Sequence, residues 1–102
     1  MSTLHTVNKS PFATQTLQSC LDHAKDGDAV LMIEDGVYGT AKGTSMAGAI
    51  AAKTGSITIY ALSPDLEARG IESGRLIEGV KSVDYAGFVE LAAKHDRANA
   101  WL

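Results

Sequence analysis

The sequence predicts an α/β protein of three layers, with a mostly parallel sheet of four to five strands and helices on both faces. Three observations carry this reading. Ala29-Val30-Leu31-Met32-Ile33 is an unbroken apolar run of strand length, the pattern of a strand covered on both sides. Strand-like stretches alternate with segments of helical period along the whole chain, and each parallel step needs a crossover. A Ser-Pro pair, the hydroxyl-then-imino start of a helix, follows a strand-like stretch twice, at Ser10-Pro11 and Ser63-Pro64.

Element by element, alternation around His5 and Val7 predicts a first strand at residues 3 to 8. Ser10-Pro11 then opens a helix running to about Lys25. Leu17, Cys20, Leu21 and Ala24 fall at i, i+3, i+4 and i+7 and form its buried stripe, and Gly27 ends it. The apolar run at residues 29 to 33 is the central strand, closed by Glu34-Asp35-Gly36. A polar loop punctuated by Gly39 and Gly43 leads to a small-residue helix at residues 45 to 53. Ile57, Ile59 and Ala61 mark the third strand. Ser63-Pro64 starts a short helix, with Asp65 and Glu67 suiting its dipole and Gly70 its C-terminus. Residues 71 to 79 read as loop and residues 80 to 83 as a brief fourth strand. Asp84 caps a last helix whose buried stripe is expected to be Tyr85, Phe88, Val89 and Ala92, ending near His95. The tail from Ala98 to Leu102 shows no period and carries Trp101, which either folds onto its own domain or anchors in another subunit.

A chain of 102 residues has room for one domain, here residues 1–102. With 45% hydrophobic and 21% charged residues it is composed as a globular protein. Its formal charge of −3, with no cluster of basic residues, argues against direct nucleic-acid binding. No apolar stretch approaches the roughly 20 residues of a membrane span. The start Met1-Ser2-Thr3-Leu4-His5 lacks the pattern of a signal peptide, so the cytoplasm is the expected compartment, in keeping with the lone Cys20.

In open parallel sheets ligands bind beyond the carboxyl ends of the strands, which directs attention to Asn8, Lys9, Glu34, Asp35, Ser63 and Asp84. Glu34 and Asp35 are adjacent and point apart, so a turn is the commoner reading than an acid–base pair. Gly36, Gly39 and Gly43 match neither phosphate-loop spacing. His5, His23, His95 and Cys20 lack the short paired spacings of a zinc site, and no metal or cofactor is expected. Cys20 itself has two readings. Its stripe makes it a small core hydrophobe; alternatively it is a thiol with His23 three residues away.

Four segments carry a resemblance across nearly the whole chain: Leu4-His5-Thr6-Val7-Asn8-Lys9-Ser10-Pro11-Phe12, Asp35-Gly36-Val37, Ile59-Tyr60-Ala61-Leu62-Ser63-Pro64-Asp65-Leu66-Glu67-Ala68-Arg69-Gly70, and Val83-Asp84-Tyr85-Ala86-Gly87-Phe88-Val89. With the closing Ala100-Trp101, their order and spacing resemble the DsrH/TusB family of sulfur-relay proteins. The resemblance implies the DsrE/DsrF/DsrH-like fold and a cytoplasmic heterohexamer with DsrE/TusD-like and DsrF/TusC-like paralogues, two copies of each. It further implies persulfide exchange with a TusA-like donor and a DsrC/TusE-like acceptor, with the principal sulfur-bearing cysteine on the DsrE/TusD-like partner. Within the family, a cysteine at position 20 looks like the DsrH branch, so the first expectation is dissimilatory sulfur oxidation, with Cys20 a possible sulfur-handling thiol. The alternative is the TusB role in 2-thiolation of the tRNA wobble uridine. A small-molecule-binding module of flavodoxin-like fold is the rival from another class.

Overall fold

A computed structural model describes residues 2–102. Five parallel strands, β1 (Thr3–Val7), β2 (Ala29–Met32), β3 (Thr58–Leu62), β4 (Val80–Val83) and β5 (Arg97–Trp101), form one sheet in the order β4-β3-β2-β1-β5. Every residue of β2 is buried, as its unbroken apolar run requires of a strand covered on both faces. The connecting helices are α1 (Thr16–His23), α2 (Ala47–Lys53), α3 (Ser63–Ala68) and α4 (Tyr85–Lys94). A 3₁₀ helix at Glu34–Thr40 follows β2, and a single 3₁₀ turn at Ser73–Arg75 lies in the stretch read as loop.

The two faces are covered unequally. On one, α1, α2 and α3 bury Leu17, Cys20, Leu21, Ile50 and Leu66 against Val7, Val30, Met32, Ile59 and Ala61. On the other, α4 alone brings Leu91 and the half-buried Phe88 onto Leu4, Leu31 and Leu62. The order in which strands are added changes sides at β1, with β2, β3 and β4 on one side of it and β5 on the other.

The structure departs from the sequence-based expectations at three places. The first helix begins at Thr16 and not at Ser10-Pro11. Ser10 O accepts amide bonds from Ala13 and Thr14, making one isolated turn. The Thr14 hydroxyl then accepts from the Thr16 amide and bonds the Thr16 hydroxyl, and this local competition restarts the helix. In α4 the expected stripe is rotated. Asp84 caps it as expected, accepting from Gly87 N at 2.8 Å, but Tyr85 and Val89 are 60% and 69% exposed while Leu91 is buried. The helix is apolar nearly all round, so two stripes satisfy its period, and the sheet selects the one through Phe88 and Leu91. The tail without period is β5, paired with β1 along its whole length from Thr3↔Arg97 to Val7↔Trp101. Ala and Asn are poor strand formers, so long-range pairing and not local propensity makes this a strand.

Candidate functional site

The expected acidic loops meet at the carboxyl end of the sheet, where they tie the backbone together. Glu34 adopts φ 50°, the left-handed region that favours glycine, and its amide donates to Asp65 Oδ2 at 2.7 Å. Arg69 Nη2 lies 2.9 Å from Asp35 Oδ1 and its Nη1 3.8 Å from Asp65 Oδ1, with its guanidinium 6.0 Å from the centre of the Tyr38 ring. Asn8 donates to Glu34 Oε2 at 3.5 Å, while its own Oδ1 is buried without a partner among the described residues. Asp35 and Asp65 are thus engaged by Arg69 and by backbone, and no pair of carboxylates is poised for acid–base work. Asp84 is spent as a helix cap, Lys9 is exposed, and Ser63 borders a separate groove with Glu67 and Ser82.

The Glu34 conformation carries a measurable consequence. Glu34→Gly should raise stability by about 1 kcal/mol, since a left-handed backbone costs an L-residue that much and the side chain holds only one long hydrogen bond. Urea titration checks it, and an unchanged or lower midpoint would contradict it.

A second cluster, running from the turn before β2 across the middle of β1 to β5, was not legible as a site in the sequence. His5, in the middle of β1, is buried between Asp28 and Trp101. Trp101 Nε1 donates to His5 Nδ1 at 3.0 Å. An indole N–H only donates, so Nδ1 must accept, and the ring proton sits on Nε2, which donates to Asp28 Oδ2 at 2.9 Å. The two hydrogen bonds therefore fix the His5 ring in one orientation, with both ring nitrogens engaged. Asp28 also accepts from the amides of Thr3 at 3.0 Å and Lys25 at 3.1 Å. Burial would raise the Asp28 pKa, but these three hydrogen bonds outweigh it and hold the carboxyl below its ordinary value. The His23 ring stands edge-on to both partners, 6.3 Å from His5 and 5.7 Å from Trp101. A cavity of about 390 Å³ opens beside the cluster, lined by His5, His23, Lys25, Asp28 and Asn99 among others.

Although Asp-His suggests a catalytic dyad, both imidazole nitrogens are occupied, leaving none to take a proton from a nucleophile or to bind a metal. No group of three or more metal-ligating side chains occurs among the described residues. The cluster acts as a clasp: it ties β5 to β1 and to the turn before β2. Trp101 accordingly packs within its own domain.

Cys20 lies fully buried in the α1 stripe. Burial, and secondarily the negative charge of Asp28, push its thiol up to about 12. A thiol held that far up stays protonated at neutral pH, and the thiolate is the form that attacks sulfur.

The chain is thus a small α/β protein built on a five-stranded parallel sheet, and no helix among the described residues is long and apolar enough to cross a membrane. The family model described as "DsrH like protein" matches residues 9–98, and the chain belongs to this DsrH/TusB family. It is 36% identical over 98 residues to "Protein TusB" of Escherichia coli O81 (strain ED1a), covering 96% of this chain and 99% of that one. "Protein TusB" of Shigella flexneri is 34% identical over the same length. Among solved structures, the ychN protein from E. coli superposes with a TM-score of 0.83 at 15% identity, covering 98% of this chain and 99% of that chain. A protein of unknown function, MTH1491 from Methanobacterium thermoautotrophicum, gives 0.65 at 20% identity, covering 91% and 90%. Both likenesses establish the fold, confirming the expected α/β class with its sheet at five strands.

Proposed function

We propose that this chain is the TusB-type subunit of a cytoplasmic sulfur-relay complex that feeds 2-thiolation of the tRNA wobble uridine, and that it acts through assembly. The observation that carries this reading is the 36% identity, spread over 96% of the chain, to proteins named TusB. These relatives favour thiolation over the sulfur oxidation first expected from Cys20, which rested on one residue. The chain is read as a single domain over residues 1–102, joining DsrE/TusD-like and DsrF/TusC-like paralogues with two copies of each. A TusA-like donor and a DsrC/TusE-like acceptor meet the complex transiently, and no cofactor is assigned.

Two features support a role in assembly over one in chemistry. The first is the burial and raised pKa of Cys20. The second is the apolar side chains left in solvent, Tyr85 and Val89 on α4 and Phe12 at 60% exposure in the loop after β1. The test is deletion of this chain in its host, followed by mass spectrometry of tRNA nucleosides. The 2-thiouridine should disappear, and return with either the wild-type chain or Cys20→Ser. Thiolation that survives deletion overturns the reading; return with wild type but not with a folded Cys20→Ser assigns the thiol to the relay.

A further inference from the structure

The cavity beside the clasp has a polar lining. Its walls come from the first residues of β1 and β5, Thr3 and Arg97, from the end of α1 and from the turn before β2. Ala98 supplies the one apolar side chain among the described residues that line it. A volume of about 390 Å³ lies at the small end of the range of small-molecule sites. An apolar occupant is disfavoured there, because it would strip these polar groups of water and offer nothing in return.

Register brings the polar groups to one face. Val7 packs against the α1 side of the sheet, so Thr3 and His5 share that side, and the pairing Thr3↔Arg97 and His5↔Asn99 sets Arg97 and Asn99 beside them. The Thr3 hydroxyl, the His23 ring, the Lys25 ammonium and the Asn99 amide make no hydrogen bond or ion pair among the described residues, and His23 only stands edge-on to His5 and Trp101. Their supports are nevertheless fixed, because Asp28 accepts from the amides of both Thr3 and Lys25. Groups already held in place lose little freedom when a ligand arrives. Charge sets the sign of that ligand. In a chain of formal charge −3, the lining places Lys25 and Arg97 against a single carboxylate, Asp28. That carboxylate is spent on three donors of the chain itself, so the site is not built for a cation. Arg97 is engaged within its own chain and contributes its charge.

We propose that this cavity binds a small phosphorylated polyol, of the sugar-phosphate class, with Lys25 and Arg97 holding the phosphate and Thr3, His23 and Asn99 taking the hydroxyls. An ammonium and a guanidinium together suit a dianionic phosphate better than a singly charged carboxylate. A bare phosphate would fill only part of the cavity, which leaves room for a body. Thr3 and Asn99 can each donate and accept, and this is the pairing that hydroxyl groups need. The site is independent of the sulfur-relay reading, since it uses neither Cys20 nor the apolar side chains of α4.

The experiment is a nitrogen–proton NMR titration of the full chain at low salt, where exposed cations are least screened. Trp101 is the single tryptophan and its indole N–H bonds His5, a lining residue, so its signal reports on the cavity. Ribose 5-phosphate should shift the Trp101 indole and Asn99 side-chain signals with half-saturation at about 1 mM or below, as for a weak polar ligand. Ribose should shift neither, and inorganic phosphate should bind more weakly than ribose 5-phosphate. Lys25→Gln should weaken binding by about fivefold with an unchanged urea midpoint, because its side chain holds nothing within the chain. Lys81→Gln, at an exposed lysine of β4, should bind as the parent does. No saturable shift with ribose 5-phosphate up to about 10 mM overturns the proposal. So does an equal response to ribose, to inorganic phosphate or to succinate, or a Lys25→Gln protein that binds no more weakly than Lys81→Gln.

Discussion

Gly36→Ala should lower the stability of the fold by about 3 kcal/mol or more. A Cβ built on Gly36 overlaps the Val7 carbonyl oxygen and comes within 3.0 Å of the Val7 carbonyl carbon. Neither neighbour can give way easily. Val7 O accepts the Ile33 amide at 3.0 Å, Val7 is the last residue of β1 and fully buried, and the Gly36 amide donates to Ile33 O at 2.9 Å. Relief would have to separate the end of β1 from the 3₁₀ helix that packs over it. A clash with fixed backbone in a core costs about 3 kcal/mol or more, against roughly 5–15 kcal/mol for a whole domain. Gly48→Ala is the control. Gly48 is exposed in α2 with nothing near its Cβ position, so alanine there should add about 0.5–1 kcal/mol. Soluble yield and urea midpoints of the two variants check the pair, and a Gly36→Ala protein as stable as the parent would refute the close approach.

Gly36 also shows what was legible in the sequence and what was not. Asp35-Gly36 reads correctly as the end of β2, because turn chemistry is local. The reason that only glycine serves at 36 is a contact with a residue 29 positions earlier, which no local pattern encodes. The same division runs through the fold. The apolar run of β2, the α1 stripe of Leu17, Cys20 and Leu21, the Asp84 cap and the Ser63-Pro64 start of α3 are all local signals, and all stand in the structure. The α4 stripe was misread because a helix apolar all round supports two faces, and only the sheet chooses between them. β5 was missed because its residues are weak strand formers drawn into the sheet by β1. The clasp was missed with it: His5, Asp28 and Trp101 lie far apart in sequence, and only the parallel register of β1 with β2 and β5 brings them together.

The clasp leads to the second large effect. Asp28→Asn should cost about 2–4 kcal/mol, more than a simple loss of charge would suggest. The Asp28 carboxylate accepts from Thr3 N on Oδ1 and from Lys25 N and His5 Nε2 on Oδ2, and an amide has only one accepting oxygen. If its NH₂ faces Thr3, two donors meet head-on. If it faces His5, the imidazole must move its proton to Nδ1, where the Trp101 N–H already points. The defect therefore spreads to β5, and Asp28→Asn combined with Trp101→Phe should be less destabilising than the sum of the two single changes. The acid limb gives an independent check. Because folding lowers the Asp28 pKa from 3.8, its ionised form contributes stability that is fully present above that value and is lost as the pH falls towards and through the folded value. The gap in unfolding free energy between the parent and Asp28→Asn should be constant from about pH 5 to 7 and narrow below about pH 4, because the variant has no carboxylate there to lose. Urea titrations across that range decide the matter. A gap that widens on acidification, or strictly additive losses with Trp101→Phe, would mean that Asp28 and Trp101 are not joined through His5.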